Sequence, residues 1–389
     1  MAIEDLLERL RALKNRLGWM SPLRRRVGER AGEQAVCAAA RADRYDVVCL
    51  AICDWDQRFQ RPQQLMARFA AAGHRVFFVR PRFGRAYALR LKRENVYEVT
   101  VPSPSLDALR NDCGIGEAAI IVQLPFWWPL AREARERFAW PVVYDCMDLH
   151  AGFANVRRAE VAHEAALLAA ADVVTVSSAM LERRAREHRD DVVMVRNGCD
   201  YEHFAATEAR RNVRPVIGFY GAISDWFEDS LVAELAKRRP DWDFVLVGST
   251  WGGRVAKLRR LANVSLPGEQ PYAALPEWLG GFDVAIIPFR RLPLTEATNP
   301  VKVYEMLASG KPVVSVPLPE VVPLAPLVRL ASSAAEFERQ IEAALAEDPG
   351  AAEARRAFAR EQTWERRFEV LAAAITNRFR RATTTRRAP

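Results

Sequence analysis

Short apolar runs without alternation, separated by helical and polar segments, constrain the fold of this chain most. Residues 47–52 and 244–248 are typical, since each run is apolar throughout rather than at every second position. A strand has this pattern when helices cover both faces of its sheet, as in parallel α/β sheets. Such runs occur in both halves of the chain, and the polar residues 201–214 separate the halves. The sequence therefore predicts an α/β protein with two parallel sheets.

The chain of 389 residues is long enough for roughly two to three domains of ~150 residues each. The predicted divisions are a basic amphipathic segment at 1–40, an N-terminal Rossmann-like domain at 41–200, a linker at 201–214, a C-terminal Rossmann-like domain at 215–363, a terminal helix at 364–377 and a basic tail at 378–389. Parallel sheets bind ligands outside the carboxyl ends of their strands, so the loops after the strands are the candidate sites.

The net charge of +8 is concentrated at the two ends of the chain. Residues 1–40 carry eight basic and five acidic side chains, and residues 376–389 carry five arginines and no acid. These ends account for the whole excess, so residues 41–375 are neutral overall. A nucleic-acid enzyme usually carries its positive charge along the folded body, and nucleic acid is therefore not expected as a partner.

Leucines in the first segment fall on one helical face, at positions 6, 10, 13 and 17. Such a helix either packs on the body of the protein or lies flat on an anionic membrane surface, and both alternatives stay open. No apolar run reaches the ~18 residues of a membrane span, and no signal-peptide pattern begins the chain. We expect a cytoplasmic protein, with peripheral binding at the inner face of the cell membrane as the open alternative.

The six cysteines show no spacing typical of a metal site. They stand at positions 37, 49, 53, 113, 146 and 199, without a Cys-x-x-Cys pair or a nearby histidine. This spacing predicts reduced core residues, with neither a disulfide framework nor a metal site.

The stretch 294–316 has the pattern of a polar loop, a short helix and a buried strand. Asn299 and Pro300 suit the N-cap and the first helical position, and Gly310 suits the residue that ends the helix. The free N–H groups and the positive dipole end of such a helix favour a phosphate group. The stretch is therefore a candidate anion site.

Lys302 and Glu305 lie one turn apart on this predicted helix. A cation in the first turn is unfavourable to the helix dipole unless an anion binds nearby. The carboxylate of Glu305 can accept hydrogen bonds from the hydroxyl groups of a sugar. The alternative is an ordinary capped helix with a Lys–Glu pair on its surface.

Two loops after strands of the N-terminal half carry candidate residues. Asp145, Asp148 and His150 lie within six residues after the predicted strand 141–144, where a general base or a hydroxyl-binding group is expected. A helix-capping loop is the alternative there. The aromatic cluster at 124–129, with Trp127, forms either the wall of an acceptor site or part of the core.

Gly221 and Gly248 each stand at the carboxyl end of a predicted strand in the C-terminal half. A residue without a side chain lets a ligand approach the backbone closely there. No Gly-x-Gly-x-x-Gly follows any predicted strand, so a dinucleotide-binding fingerprint is absent.

Several segments together resemble the GT-B-fold glycosyltransferases, and more closely the bacterial teichuronic-acid and surface-polysaccharide glycosyltransferases. The segments that carry the resemblance are 58–64 with 73–77, 144–148, 195–198, 219–224 and 298–314. The likeness extends over about residues 45–375, and its last segment is the most specific.

The resemblance implies two Rossmann-like domains that face each other across a cleft. It implies a nucleotide-diphosphate sugar as co-substrate, held by the C-terminal domain, and a glycan or lipid-linked acceptor, held by the N-terminal domain. Members of this kind build cell-surface polysaccharides and work without a bound metal or cofactor. On the donor side, Glu305 matches a residue that binds the ribose, and the segment with Thr298, Asn299 and Lys302 faces the diphosphate.

The chain also departs from the family pattern. Ala297 stands where retaining members carry a first glutamate, and 222–225 lacks the usual Arg and Lys. Lys302, with Arg290 or Arg291, is then left to neutralise the diphosphate. Whether transfer retains or inverts the anomeric configuration stays open. An inverting reaction requires a base, and Asp148 is the expected one.

Residues that could contact the acceptor are Arg61, Trp127 and Asp145, with Asp148 and His150 as the catalytic pair. Two other functions stay open. A nucleotide-sugar epimerase can use the same fold, and a non-catalytic partner subunit can keep the fold without turnover. The nucleotide, the sugar, the acceptor, the linkage and the oligomeric state are not predicted.

Overall fold

The structure is a computed structural model that describes residues 35–387 except 82–85, 103–104, 154–157, 208–209 and 211. The predicted amphipathic segment therefore lies outside the described residues up to position 34. The chain divides into two compact units. Among described residues, the first unit comprises 35–196 and 364–387, and the second unit comprises 197–363.

The described part of the first unit contains eight strands in one sheet. The strands are β1 (Asp46–Leu50), β2 (Val76–Val79), β3 (Ala88–Arg93), β4 (Val96–Thr100), β5 (Ala118–Val122), β6 (Val142–Cys146), β7 (Val173–Val176) and β8 (Val192–Met194). Their order is β3-β4-β2-β1-β5-β6-β7-β8, and every neighbouring pair is parallel except β3 with β4. All residues of the central strand β1 are buried, which is the reason its sequence does not alternate.

Helices cover this sheet and complete the first unit. They are α1 (Arg61–Ala71), α2 (Asp107–Asp112), α3 (Trp128–Phe138), α4 (Arg158–Ala170) and α5 (Ala179–Arg186), with short 3₁₀ turns at Pro125–Trp127 and His150–Gly152. The terminal helix, numbered α13 because it comes last in the chain, runs from Trp364 to Arg387 and packs on α1 through an edge-to-face contact of Phe368 with Phe69.

The described part of the second unit contains six parallel strands. They are β9 (Val216–Tyr220), β10 (Asp243–Val247), β11 (Val264–Gly268), β12 (Val284–Ile287), β13 (Val313–Ser315) and β14 (Val328–Leu330), in the order β11-β10-β9-β12-β13-β14. The predicted run 244–248 is therefore confirmed as a strand to within one residue at each end.

The second unit's helices are shorter on average. They are α6 (Tyr201–Ala205), α7 (Asp229–Arg238), α8 (Leu275–Gly280), α9 (Pro293–Glu296), α10 (Val301–Ser309), α11 (Ala334–Leu345) and α12 (Ala351–Arg360), with 3₁₀ turns at Leu258–Arg260, Tyr272–Ala274 and Val322–Leu324. Helix α6 lies inside the stretch predicted as a linker. Its Phe204 is fully buried and stacks on Tyr220, so apolar packing draws these residues into the second unit.

The cysteine prediction is wrong for one pair. Cys37 and Cys113 form a disulfide, with their Cα atoms 5.5 Å apart and a sequence separation of 76. Arg75 explains how the two segments meet, because its guanidinium donates to the carbonyl oxygens of both Ala38 and Cys113. The other four cysteines are free thiols, and Cys49, Cys146 and Cys199 are buried as predicted. Among the described helices, none is long and apolar enough to span a membrane.

Candidate functional site

Helix α10 begins directly after the carboxyl edge of the second sheet. Its N-cap is Pro300, not Asn299 as predicted, and no side chain caps its first N–H groups. The physical reason is that the Asn299 amide is used elsewhere. Its Nδ2 donates to Tyr304 Oη and to Glu320 Oε2, each at 3.0 Å, and its Oδ1 accepts from the backbone N–H of Asn197 at 2.9 Å. Asn299 therefore fixes the loop before the helix and leaves the helix start uncapped.

Lys302 lies in the first turn of α10 above two aromatic rings. Its Nζ is 4.9 Å from the ring centroid of Phe289 and 5.6 Å from that of Phe219. Burial lowers the pKa of this ammonium to about 8, against the opposing effect of nearby Glu305. Lys302 forms no salt bridge or hydrogen bond with any described residue. The helix start thus carries a partly desolvated cation that is not paired with a carboxylate of the described residues.

Gly221 is the residue that makes room for Lys302. Its φ is +136°, and a Cβ added there would lie 2.9 Å from Lys302 Cε. Gly248 has a different role from the predicted one. A Cβ at Gly248 would lie 1.8 Å from the carbonyl oxygen of Gly221, so its missing side chain serves the packing of two strand ends rather than the approach of a ligand.

Glu305 lies one turn after Lys302 and is 6% exposed. Its Oε2 accepts a hydrogen bond from the hydroxyl of Tyr220 at 2.9 Å. Burial raises the pKa of this carboxyl to about 7, while the Tyr220 hydroxyl and Lys302 act in the opposite direction. The structure therefore brings together the predicted residues Gly221, Lys302 and Glu305. It adds Tyr220, which in the sequence is only the last apolar residue of a strand.

The other predicted donor-side residues already have partners. Thr298 donates its hydroxyl to the carbonyl oxygen of Leu294 at 2.8 Å. Arg290 pairs with the buried Asp229 at 2.8 Å, and Arg291 pairs with Glu296 at 3.0 Å. Since carboxylates compensate both arginine charges, the structure does not favour them as the groups that neutralise a diphosphate.

In the first unit, Asp148 follows β6 by two residues and is half-buried. Burial raises the pKa of its carboxyl to about 7, with Arg61 lowering it and Asp145 raising it. The carboxyl group of Asp148 forms no hydrogen bond with a described residue. An acid of this pKa is partly ionised near neutral pH and can both take up and release a proton there.

His150 lies in the 3₁₀ turn after Asp148 and is buried. Burial lowers its pKa to about 4, with Arg184 acting in the same direction, so the imidazole is neutral at pH 7. Its Nε2 has no hydrogen-bond partner among the described residues. A neutral, buried ring of this kind can orient a neighbouring group or exchange a proton with it.

Arg61 and Asp145 lie inside the unit and not at an acceptor surface. Strand β6 extends two residues further than predicted, which places Asp145 within the strand with no exposed surface. The Arg61 guanidinium donates to both Asp145 oxygens, at 2.6 and 3.0 Å, and to the carbonyl oxygen of Val195 at 2.9 Å. This buried pair ties the start of α1 to β6 and to the end of β8, which is a structural role.

Trp127 is also part of the core. It is 1% exposed, and its indole N–H donates to the carbonyl oxygen of Ala51 at 3.0 Å. This placement therefore favours the alternative in which the aromatic cluster is part of the core. The sequence could not separate the two alternatives, because the same aromatic residues occur in protein cores and in ligand-binding sites.

The comparisons with known proteins cover either the unit that carries Lys302 and Glu305 or most of the chain. Residues 214–347 match the family model described as Glycosyl transferases group 1. This segment is therefore similar to the glycosyl transferases of group 1. Over 243 residues, the chain is 31% identical to the "putative teichuronic acid biosynthesis glycosyltransferase TuaH" of Bacillus subtilis, a match that covers 56% of this chain. The matched part spans 60% of that relative's length.

Solved structures show the fold over most of the chain. A sucrose-phosphate synthase from Thermosynechococcus elongatus superposes with a TM-score of 0.70 at 15% identity, over 86% of this chain and 99% of that one. Anabaena Alr3699/HepE in complex with UDP-glucose gives a TM-score of 0.67 at 13% identity, over 86% of this chain and all of that one. The two parallel-sheet, Rossmann-like domains are those of the GT-B fold, as the resemblance implied.

Ala297 is the position at which the resemblance implied that a first glutamate is missing. Ala297 is fully buried, and its methyl group supplies no carboxylate. The neighbouring acid, Glu296, is held by Arg291. The described residues also contain no group of three His, Cys, Asp or Glu side chains that could hold a metal ion.

Proposed function

We propose that this protein is a glycosyltransferase that moves a sugar from a nucleotide-diphosphate sugar to a glycan or lipid-linked acceptor in cell-surface polysaccharide biosynthesis. The observation that carries the proposal is the cluster of Gly221, Lys302 and Glu305 at the uncapped start of α10, within the segment that matches the group 1 family model. The likeness to TuaH supports the polysaccharide context, and the UDP-glucose complex of HepE supports a UDP-sugar as the first donor to test.

In this proposal, the donor's diphosphate lies at the start of α10. The free N–H groups of the helix and the Lys302 ammonium are both positive, and low dielectric strengthens their attraction to a phosphate. Negative charge grows on the diphosphate as the bond to the sugar breaks, so the same groups stabilise the transition state more than the bound donor. The Glu305 carboxylate accepts hydrogen bonds from the ribose hydroxyls and sets the position of the nucleotide.

Asp148 is the proposed base in the first unit. In an inverting reaction, an acceptor hydroxyl oxygen forms a bond to the anomeric carbon as the nucleoside diphosphate leaves with the electrons of the broken bond. The hydroxyl proton passes to the Asp148 carboxylate. A pKa of about 7 suits this step, because the group is ionised in a large fraction of molecules at neutral pH.

The donor site is expected to bind a nucleotide best between pH 7 and pH 8. Glu305 has a pKa of about 7 and accepts ribose hydroxyls as a carboxylate, so affinity falls as acid protonates it. Lys302 has a pKa of about 8 and attracts phosphate as a cation, so affinity falls as base neutralises it. Calorimetric titration of UDP from pH 5.5 to 9.5, roughly 1.5 units beyond each pKa, measures both limbs. An affinity without a maximum in this range would contradict the assignment of these two residues.

Location at the inner face of the cell membrane is part of the proposal, because a lipid-linked acceptor resides there. The basic residues at both ends of the chain support it, since anionic lipids attract arginines. Co-sedimentation with anionic liposomes, with and without residues 1–40, tests the first of these ends. Equal co-sedimentation of both chains would remove the N-terminal segment from this role.

Transfer itself is tested by incubating the protein with a UDP-sugar, with and without a lipid extract that supplies acceptors. The proposal predicts UDP release and labelled lipid product only with the extract, and the same yield in EDTA. Conversion of the sugar without any extract would favour the epimerase. Tight nucleotide binding without release under any condition would favour the non-catalytic subunit.

A further inference from the structure

Tyr220 is the residue of the donor cluster that no sequence pattern indicated. It ends β9, next to Gly221, and is 3% exposed. Its hydroxyl lies 2.9 Å from Glu305 Oε2. The other carboxylate oxygen, Oε1, forms no hydrogen bond with a described residue. One oxygen of Glu305 is therefore held by the protein, and the other remains available to a ligand.

Aromatic packing fixes the direction of the Tyr220 hydroxyl. The ring of Phe204 lies nearly parallel to that of Tyr220, at 8° with 6.3 Å between centroids. Tyr272 packs edge-on against Phe204 at 5.8 Å. This packing holds the Tyr220 ring in place, so its hydroxyl oxygen stays within hydrogen-bond distance of Glu305 as long as the core of the second unit is intact.

Tyr220 also remains a donor over the whole accessible pH range. Burial raises its pKa far above the ordinary value, and the neighbouring Glu305 acts in the same direction, followed by Tyr272 and Cys199. Three charged or titratable groups shift the pKa of Glu305. Tyr220 from β9 and Lys302 from α10 lower it, and Asp200 before α6 raises it. Of these, Tyr220 has the largest stabilising effect on the ionised carboxylate.

We propose that Tyr220 is the positioning residue of the donor site: its hydroxyl holds Oε2 of Glu305, favours the ionised form of the carboxyl group and directs Oε1 to the ribose hydroxyls of the nucleotide. This inference rests on the proposed function. Tyr220 itself does not contact the donor, and it acts through Glu305. Its effect must therefore depend on the protonation of Glu305, which a purely structural tyrosine would not show.

The test is Tyr220→Phe, measured by UDP titration across pH 6 to 9, which spans the pKa of about 7 at Glu305. Phe keeps the stacked ring and removes only the hydroxyl. We expect UDP affinity to fall by ~10-fold at pH 7, the usual effect of one hydrogen bond to a charged group. The midpoint of the acid limb should move to higher pH, and the loss should shrink as the pH rises and Glu305 ionises again.

Tyr144→Phe is the matched control. Tyr144 is buried in the first unit and its hydroxyl donates to a carboxylate in the same way, to Glu164 Oε1 at 3.2 Å. UDP affinity and its acid midpoint should not change in this variant. A second variant, Glu305→Gln, removes the titrating group. Adding Tyr220→Phe to it should change UDP affinity less than in the wild-type background.

Three results would overturn the role of Tyr220 while wild-type UDP binding is intact. They are unchanged affinity in Tyr220→Phe, a loss that is equal at every pH, and failure of the variant to fold by circular dichroism, which would assign the hydroxyl to stability alone. Absence of nucleotide binding by the wild-type protein is a different outcome, since it would contradict the proposed function itself.

Discussion

Glu305→Ala is expected to weaken UDP binding by ~100-fold, because a buried carboxylate that accepts two ribose hydroxyls contributes two charge-assisted hydrogen bonds. The truncation also leaves the Tyr220 hydroxyl without its acceptor and Lys302 without its neighbouring negative charge. Both effects act within the donor cluster, because Tyr220 and Lys302 belong to it as direct neighbours of Glu305. Isothermal titration of UDP into the wild type and the variant measures the loss.

Glu296→Ala is the matched control for this experiment. Glu296 is an acid of the same segment, but it is paired with Arg291 at the surface. UDP affinity should stay at the wild-type value in this variant. Wild-type affinity in Glu305→Ala, with the protein folded, would show that the nucleotide binds elsewhere.

Asp148→Asn is expected to slow sugar transfer by ~100-fold or more while it leaves UDP affinity unchanged, because loss of a general base affects the chemical step and not donor binding. The amide has nearly the shape of the carboxyl group but takes up no proton near pH 7. The variant should also lose the acid limb of the pH–rate profile that the wild type shows around the Asp148 pKa of about 7. Turnover with the lipid extract, followed as UDP release, measures both changes.

Asp112→Asn serves as the control in the first unit, because Asp112 is an exposed acid at the end of α2. Its turnover should match that of the wild type. Survival of turnover in Asp148→Asn would give Asp148 a structural role. It would exclude Asp148 as the base and leave mechanisms that need no side-chain base or in which His150 takes the acceptor proton.

The sequence predicted those features of the fold and the site that depend on residues close together in the chain. Continuous apolar runs predicted the buried parallel strands, and the spacing of Lys302 and Glu305 placed both on one turn of α10. The edge hairpin of β3 and β4 was not predicted. Its outer strand carries Arg90, Lys92 and Arg93 and has few buried residues, so it lacks the apolar run that indicated the other strands.

Long-range pairing accounts for the errors. Asn299 was expected to cap its own helix, but its amide bonds to Asn197, 102 residues away in sequence. Asp145 was expected in an acceptor site, but Arg61 reaches it from 84 residues away. No spacing rule connects such partners, because the sheet topology brings them together. Tyr220 was missed for the same reason, since only the fold places its hydroxyl beside Glu305.

The central claim is that the second unit holds a nucleoside diphosphate at the start of α10. The most direct measurement is a thermal-shift panel of UDP, ADP, GDP, CDP and dTDP and their sugars, with the wild type and Glu305→Ala side by side. One nucleotide, supplied at 100 times its dissociation constant, should stabilise the wild-type fold by ~2.7 kcal/mol and should leave the variant nearly unshifted. A panel in which no nucleotide shifts the wild type, or in which the same one shifts both proteins equally, would contradict the claim.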